Sequence, residues 1–135
     1  MDGYRHRIMD SLLEKKLQAK GAVLIEGPKW CGKTTTAEEV AASKILLART
    51  DVKNNFKSLL EIDTDAALSG DTPMLIDEWQ TVPKLWDAVR YTVDHRRKMG
   101  QVILTGSAVP DKEAEKEREH SGTGRFAWLT MRPMT

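Results

Sequence analysis

The chain has 135 residues, 40% hydrophobic and 30% charged, which is enough for one packed domain and excludes both a disordered acidic tail and a membrane span. Lys and Arg total 21 against 20 Asp and Glu, and the resulting charge of +1 argues against a protein built mainly to bind polyanions. The single cysteine, Cys31, excludes an internal disulfide and fits a reducing compartment. With no apolar run near the ~20 residues a bilayer requires and no apolar segment after the charged N-terminus, the expectation is a cytoplasmic protein with no membrane partner.

Residues 4–20 carry Ile8, Leu12, Leu13 and Leu17 at helical spacing, predicting an amphipathic helix stopped by Gly21. The apolar run 22–26 predicts a buried strand, and helix formers follow over 33–43. A second strand is expected over 44–48. Residues 54–68 read as helix and loop, with Phe56, Leu59, Leu60 and Ile62 facing inward. Turn chemistry over 69–73 introduces a third strand at 74–77. Residues 79–98 predict a helix burying Leu85, Trp86, Val89 and Val93, and 101–105 a fourth strand. The segment 107–124 is dense in both charge signs and reads as a solvated helix or loop; 126–131 supplies a fifth strand. Strands alternating with helices point to a three-layer α/β domain around a mostly parallel sheet.

Between the first strand and the second helix, Gly27, Pro28, Lys29, Trp30, Cys31, Gly32, Lys33 and Thr34 match G-x-x-x-x-G-K-[ST] at every fixed position. Glycines let the backbone curl so that successive N–H groups face phosphate oxygens, and the following helix adds the positive end of its dipole. Lys33 is placed to reach the β- and γ-phosphates, and the Thr34 hydroxyl to ligate Mg²⁺. At ordinary residue frequencies a chance match somewhere in a chain this long has odds of about half a percent. Cys31, beside phosphate-binding amides, reads as an inert loop residue in preference to a low-pKa thiol.

The third predicted strand ends in Asp77 and Glu78. In such a fold Asp77 would lie beside the phosphate loop and hold Mg²⁺, while Glu78 could orient and deprotonate an attacking water. A water-activating base has no use in phosphate transfer to a small acceptor, so Glu78 tilts the reading from a kinase to a hydrolase. Thr105 and Ser107, at the end of the fourth strand, offer hydroxyls toward the γ-phosphate, or hydroxyls simply satisfied at a strand end. Arg125, after a Gly-rich turn, is either a surface arginine or a charge donor to the transition state. His6, His95, His120 and Cys31 lack zinc-site spacing, and Asp63-Thr64-Asp65 lacks the glycine of a calcium loop. The basic run His95-Arg96-Arg97-Lys98 complements a helix C-terminus, and nucleic-acid contact there is the less favoured reading.

On these residues, together with Tyr4 to Ile8, Leu75-Ile76-Asp77-Glu78-Trp79-Gln80, Leu85-Trp86, Ile103 to Ser107, Gly122 to Arg125 and Met131-Arg132-Pro133, the chain resembles the N-terminal ATPase core of a prokaryotic AAA-superfamily group whose P-loop domain precedes a C-terminal domain of unknown function. The resemblance implies a RecA-like P-loop NTPase sandwich of about five mostly parallel strands. It implies nucleotide contacts along Gly27 to Thr34 and on to Thr35 (Walker A), Walker B residues at Asp77 and Glu78, a polar sensor around Thr105 and Ser107, and a functional arginine at Arg125. Members of the group continue beyond the Arg132-Pro133 segment, so residues 1–135 are expected to be a single ATPase domain without helical lid or accessory domain. The expected activity is Mg²⁺-dependent binding and hydrolysis of ATP to ADP and phosphate, with Lys33, Glu78 and Arg125 catalytic and Thr34 and Asp77 on the metal. Adenine specificity follows from the resemblance and from the absence of a guanine-reading Asn/Thr-Lys-x-Asp element. The partner is expected to be a second copy or another protein. The alternatives are a nucleotide-gated protein-binding module with little or no hydrolysis, a P-loop kinase and a DNA-dependent motor.

Overall fold

The computed structural model describes the backbone of residues 2–27, 33–107 and 126–130, and side chains over 11–27, 37–106 and 126–127. Its strands are β1 (Ala22–Gly27), β2 (Ser43–Leu46), β3 (Met74–Asp77), β4 (Val102–Ser107) and β5 (Phe126–Thr130). They form one sheet in the order β2-β3-β4-β1-β5, with every pairing parallel. The helices are α1 (Asp2–Ala19), α2 (Lys33–Val40), α3 (Thr50–Ile62), α4 (Thr64–Ala67) and α5 (Leu85–Arg96).

The central strands are apolar on both faces because both faces are covered, as parallel sheets require. Side chains alternate across a strand. Ala22 and Leu24, Ile76, and Val102 and Leu104 therefore face one way, into a cluster with Phe56 and Leu60 of α3 and Leu85, Trp86, Val89 and Val93 of α5. Val23 and Ile25, Leu75 and Ile103 face the other way, against Leu13 and Leu17 of α1 and Ala37 of α2. The α/β sandwich expected from the sequence is what the chain forms.

Four local expectations are corrected. Leu12 is 39% exposed, while Leu13 and Leu17 carry the buried stripe of α1. On α3, Phe56 and Leu60 are buried but Leu59 is 41% and Ile62 84% exposed. At 100° per residue, Phe56 and Leu60 lie about 40° apart and define the inward face, and Ile62 falls on the opposite side. Ser43 starts β2 rather than ending α2, its hydroxyl donating to the Asp71 carbonyl at 2.6 Å. The helix expected over 79–98 is broken: Trp79–Thr81 is a single 3₁₀ turn and α5 begins at Leu85, two residues after Pro83. The charged segment expected over 107–124 lies, beyond Ser107, outside the described residues.

The α1–β1 connection is tight at Gly21. A Cβ there would sit 2.1 Å from Cγ1 of Val93 and 3.3 Å from the Lys98 carbonyl oxygen, so only glycine lets the chain pass α5 this closely.

Candidate functional site at the carboxyl edge of the sheet

Because all five strands run the same way, their carboxyl ends share one edge. The chain leaves β1 through α2 toward β2 on one side and leaves β4 toward β5 on the other. The carboxyl ends of β1 and β4 therefore flank a switch point, where open α/β sheets form their ligand crevice. β4 lies between β1 and β3, and at ordinary strand spacing this separates the latter two by about 10 Å. Gly27 is level with Ser107, and Asp77 with Thr105.

Asp77 continues the Leu75 face of β3 and Thr105 the Ile103 face of β4, so both side chains emerge on the side covered by α1 and α2. Asp77 is 8% exposed and Thr105 fully buried. The Thr105 hydroxyl donates to Asp77 Oδ1 at 2.5 Å, a short bond of the charge-assisted kind. A carboxylate is thus held at the ligand edge by a neighbouring strand.

At Glu78 the chain turns left-handed, with φ 57° and ψ 47°. For a residue with a Cβ this conformation costs about 1 kcal/mol, and it persists where surroundings hold it. Here the Glu78 carbonyl accepts from the Thr81 backbone N–H at 3.1 Å and from the Thr81 hydroxyl at 2.9 Å. The half-buried Glu78 carboxylate is gripped as well: Gln80 Nε2 donates to Oε2 at 2.6 Å. Trp79, between them, enters the core on the α5 side.

Gly106, next to Thr105, faces that same side. A Cβ there would meet Gln80 Oε1 at 2.6 Å and Trp79 Nε1 at 2.9 Å. The missing side chain of β4 is the space these two residues occupy.

The remaining expected residues divide as follows. Gly27 is buried at the end of β1. Lys33, Thr34 and Thr35 open α2, and Ser107 ends β4, their side chains lying outside the described residues. Pro28, Lys29, Trp30, Cys31, Gly32 and Arg125 also lie outside them. Phe126, which follows Arg125, pairs with Ala22 at the start of β1, the opposite end of the sheet from Asp77. In the basic run at the end of α5, Arg96 donates to the Leu68 carbonyl at 2.8 Å and to Gln101 Oε1 at 3.4 Å, a tie between the residue after α4 and the residue before β4. Sequence reasoning assigned nothing to Gln80 or Gly106. The available signal was a side-chain amide two residues after a carboxylate at a strand end.

Among the described residues, no group of three or more His, Cys, Asp and Glu could hold a metal ion by itself, and no helix is long and apolar enough to cross a membrane.

An uncharacterized protein of Mycobacterium tuberculosis and one of Mycobacterium bovis are each 33% identical to the chain over 100 residues, which is 73% of this chain and 22% of theirs. The chain thus spans about a fifth of the length of the curated relatives it matches. The solved structure of C. elegans PCH-2 is a distant likeness, with 15% identity, a TM-score of 0.49, and coverage of 97% of this chain and 42% of that one. The protein family described as "AAA domain" matches residues 19–135. From β1 to its last residue, the chain belongs to the AAA domain family.

Proposed function

We propose that the chain binds ATP with Mg²⁺ between the 27–34 loop and Asp77 and hydrolyses it to ADP and phosphate. The observation that carries this reading is the buried Asp77, held by Thr105 on the strand next to β1, at the edge where β1 runs into the loop and Lys33 starts α2. Membership of the AAA domain family supports nucleotide binding at this edge.

The donor set fits Mg²⁺, a hard cation that takes oxygen ligands and relies on one or two protein groups plus substrate phosphates. Asp77 supplies a carboxylate and Thr34 a hydroxyl at the second position of α2. Bound there, the ion would neutralise charge on the phosphate oxygens. On the sequence pattern, Lys33 at the start of α2 would add a cation, and the backbone amides there would complete an anion-binding end. Glu78 is displaced from the line of β3 by its left-handed turn, so its carboxylate is separate from the group assigned to the metal. A carboxylate so placed can align a water and take its proton. Arg125, which lies outside the described residues, enters the proposal as the residue that would donate charge to the transition state.

Isothermal titration of Mg–ATP, with phosphate release followed on the same samples, tests the reading. Lys33→Ala is expected to weaken ATP binding by about tenfold to a hundredfold, as loss of a charge-assisted phosphate contact would. Equal affinity in wild type and variant would sink the assignment of the loop.

A further inference from the structure

We infer that Gln80 is the positioning residue for Glu78, and that Gly106 exists in β4 to admit it. The inference rests on the hydrolytic reading above and adds to it a residue with no assigned role. Three observations meet here. Gln80 Nε2 donates to Glu78 Oε2 at 2.6 Å across the 3₁₀ turn. Gln80 Oε1 is buried and, among the described residues, has no hydrogen-bond partner. That same oxygen lies 2.6 Å from where a Cβ on Gly106 would be.

The chemistry of the two groups fixes which way the amide points. An ionised carboxylate only accepts, so Gln80 must turn its NH₂ to Glu78. Its carbonyl then faces β4 at the Gly106 backbone, where any larger residue would push it away. Native structures leave few buried acceptors unpaired, and those that remain call for an explanation. Here the unpaired Oε1 is the consequence of holding Glu78: the side chain gives up a partner at one end to keep the carboxylate fixed at the other.

The grip also acts on the backbone. Glu78 is left-handed, and its carbonyl and carboxylate are both tied to the two residues that follow Trp79. Gln80 engages one carboxylate oxygen. The other is left for a water, in an orientation set before any ligand arrives. A base held in one orientation needs no search for its reactive geometry, and this advantage is expressed in turnover rather than in nucleotide affinity.

The test uses the 135-residue chain with Mg–ATP. Gln80→Ala is expected to lower kcat by about tenfold to a hundredfold with the dissociation constant for Mg–ATP within about twofold of wild type. In a Glu78→Gln background the same substitution is expected to add less than about twofold, because the group it positions is already disabled. Gly106→Ala, which leaves Gln80 in place but fills its slot, is expected to reproduce the kcat loss. A direct readout needs no turnover: the side-chain amide protons of Gln80 should resonate downfield in wild type and move upfield in Glu78→Ala. Wild-type hydrolysis with Gln80→Ala unchanged in kcat would overturn the inference alone. Equal losses from Gln80→Ala in both backgrounds would overturn it in favour of a purely structural role. A wild type that binds ATP without releasing phosphate would overturn the hydrolytic reading and the role of Gln80 together.

Discussion

Replacing Glu78 with Gln is expected to slow phosphate release by at least about a hundredfold while leaving Mg–ATP affinity within about twofold. The substitution keeps the shape of the side chain and an oxygen for Gln80 to bond, and removes only the capacity to take a proton. Asp77, next to it, keeps its place because its support comes from β4: the 2.5 Å bond from Thr105 does not pass through residue 78. Binding and turnover should therefore separate in this variant. Phosphate release at the wild-type rate would remove Glu78 as the base. A wild type with tight binding and no release to lose would leave a nucleotide-gated binding module as the reading.

The second large effect is on stability. Trp86 is 5% exposed, stacked on Phe126 with ring centroids 4.1 Å apart and planes at 11°, and tilted against Trp79 at 5.3 Å. Trp86→Ala removes the middle of this row and leaves a cavity that β5, α5 and the 3₁₀ turn all line. The expected cost is about 3–5 kcal/mol. A domain of this size has only about 5–15 kcal/mol of stability, so the urea midpoint should fall by about a fifth or more. A loss below about 1 kcal/mol would mean the site collapses around the missing indole and that the row does not anchor the turn.

The architecture was legible because its two signals are local. Apolar runs such as Ala22 to Ile25 and Val102 to Leu104, bounded by glycines and polar residues, read as doubly covered strands, and the loop between β1 and α2 advertises itself by fixed spacing. The errors fall where the deciding contact is remote. Leu59 and Ile62 are apolar and helical, yet nothing in their spacing says that α3 docks through Phe56 and Leu60 alone. The break between Thr81 and Leu85 was hidden by a sequence that reads as continuous helix from Trp79 onward. Its cause is a turn stabilised by Thr81 and Gln80 side chains, together with Pro83 before α5. The pairing of Asp77 with Thr105 depends on β4 being inserted between β1 and β3, a choice of strand order that no single segment records. Gly106 is the same case: the residues that need its space lie on a different strand's turn.

The bond from Thr105 to Asp77 has a consequence in proton number. A threonine hydroxyl carries one hydrogen, and here it is already committed to the carboxylate. Thr105 thus cannot donate to a phosphate oxygen while it donates to Asp77; it serves one or the other. Whenever a ligand oxygen takes that hydrogen, Asp77 loses a donor and offers a cation a less occupied pair of oxygens. Phosphate and cation would then each favour the other's binding through a single O–H bond, and thermodynamic linkage makes the two effects equal. Thr105→Val, which has no hydrogen to move, should bind Mg²⁺ with an affinity less dependent on the terminal phosphate, seen by comparing ATP with ADP. An undiminished dependence in that variant would place the coupling elsewhere.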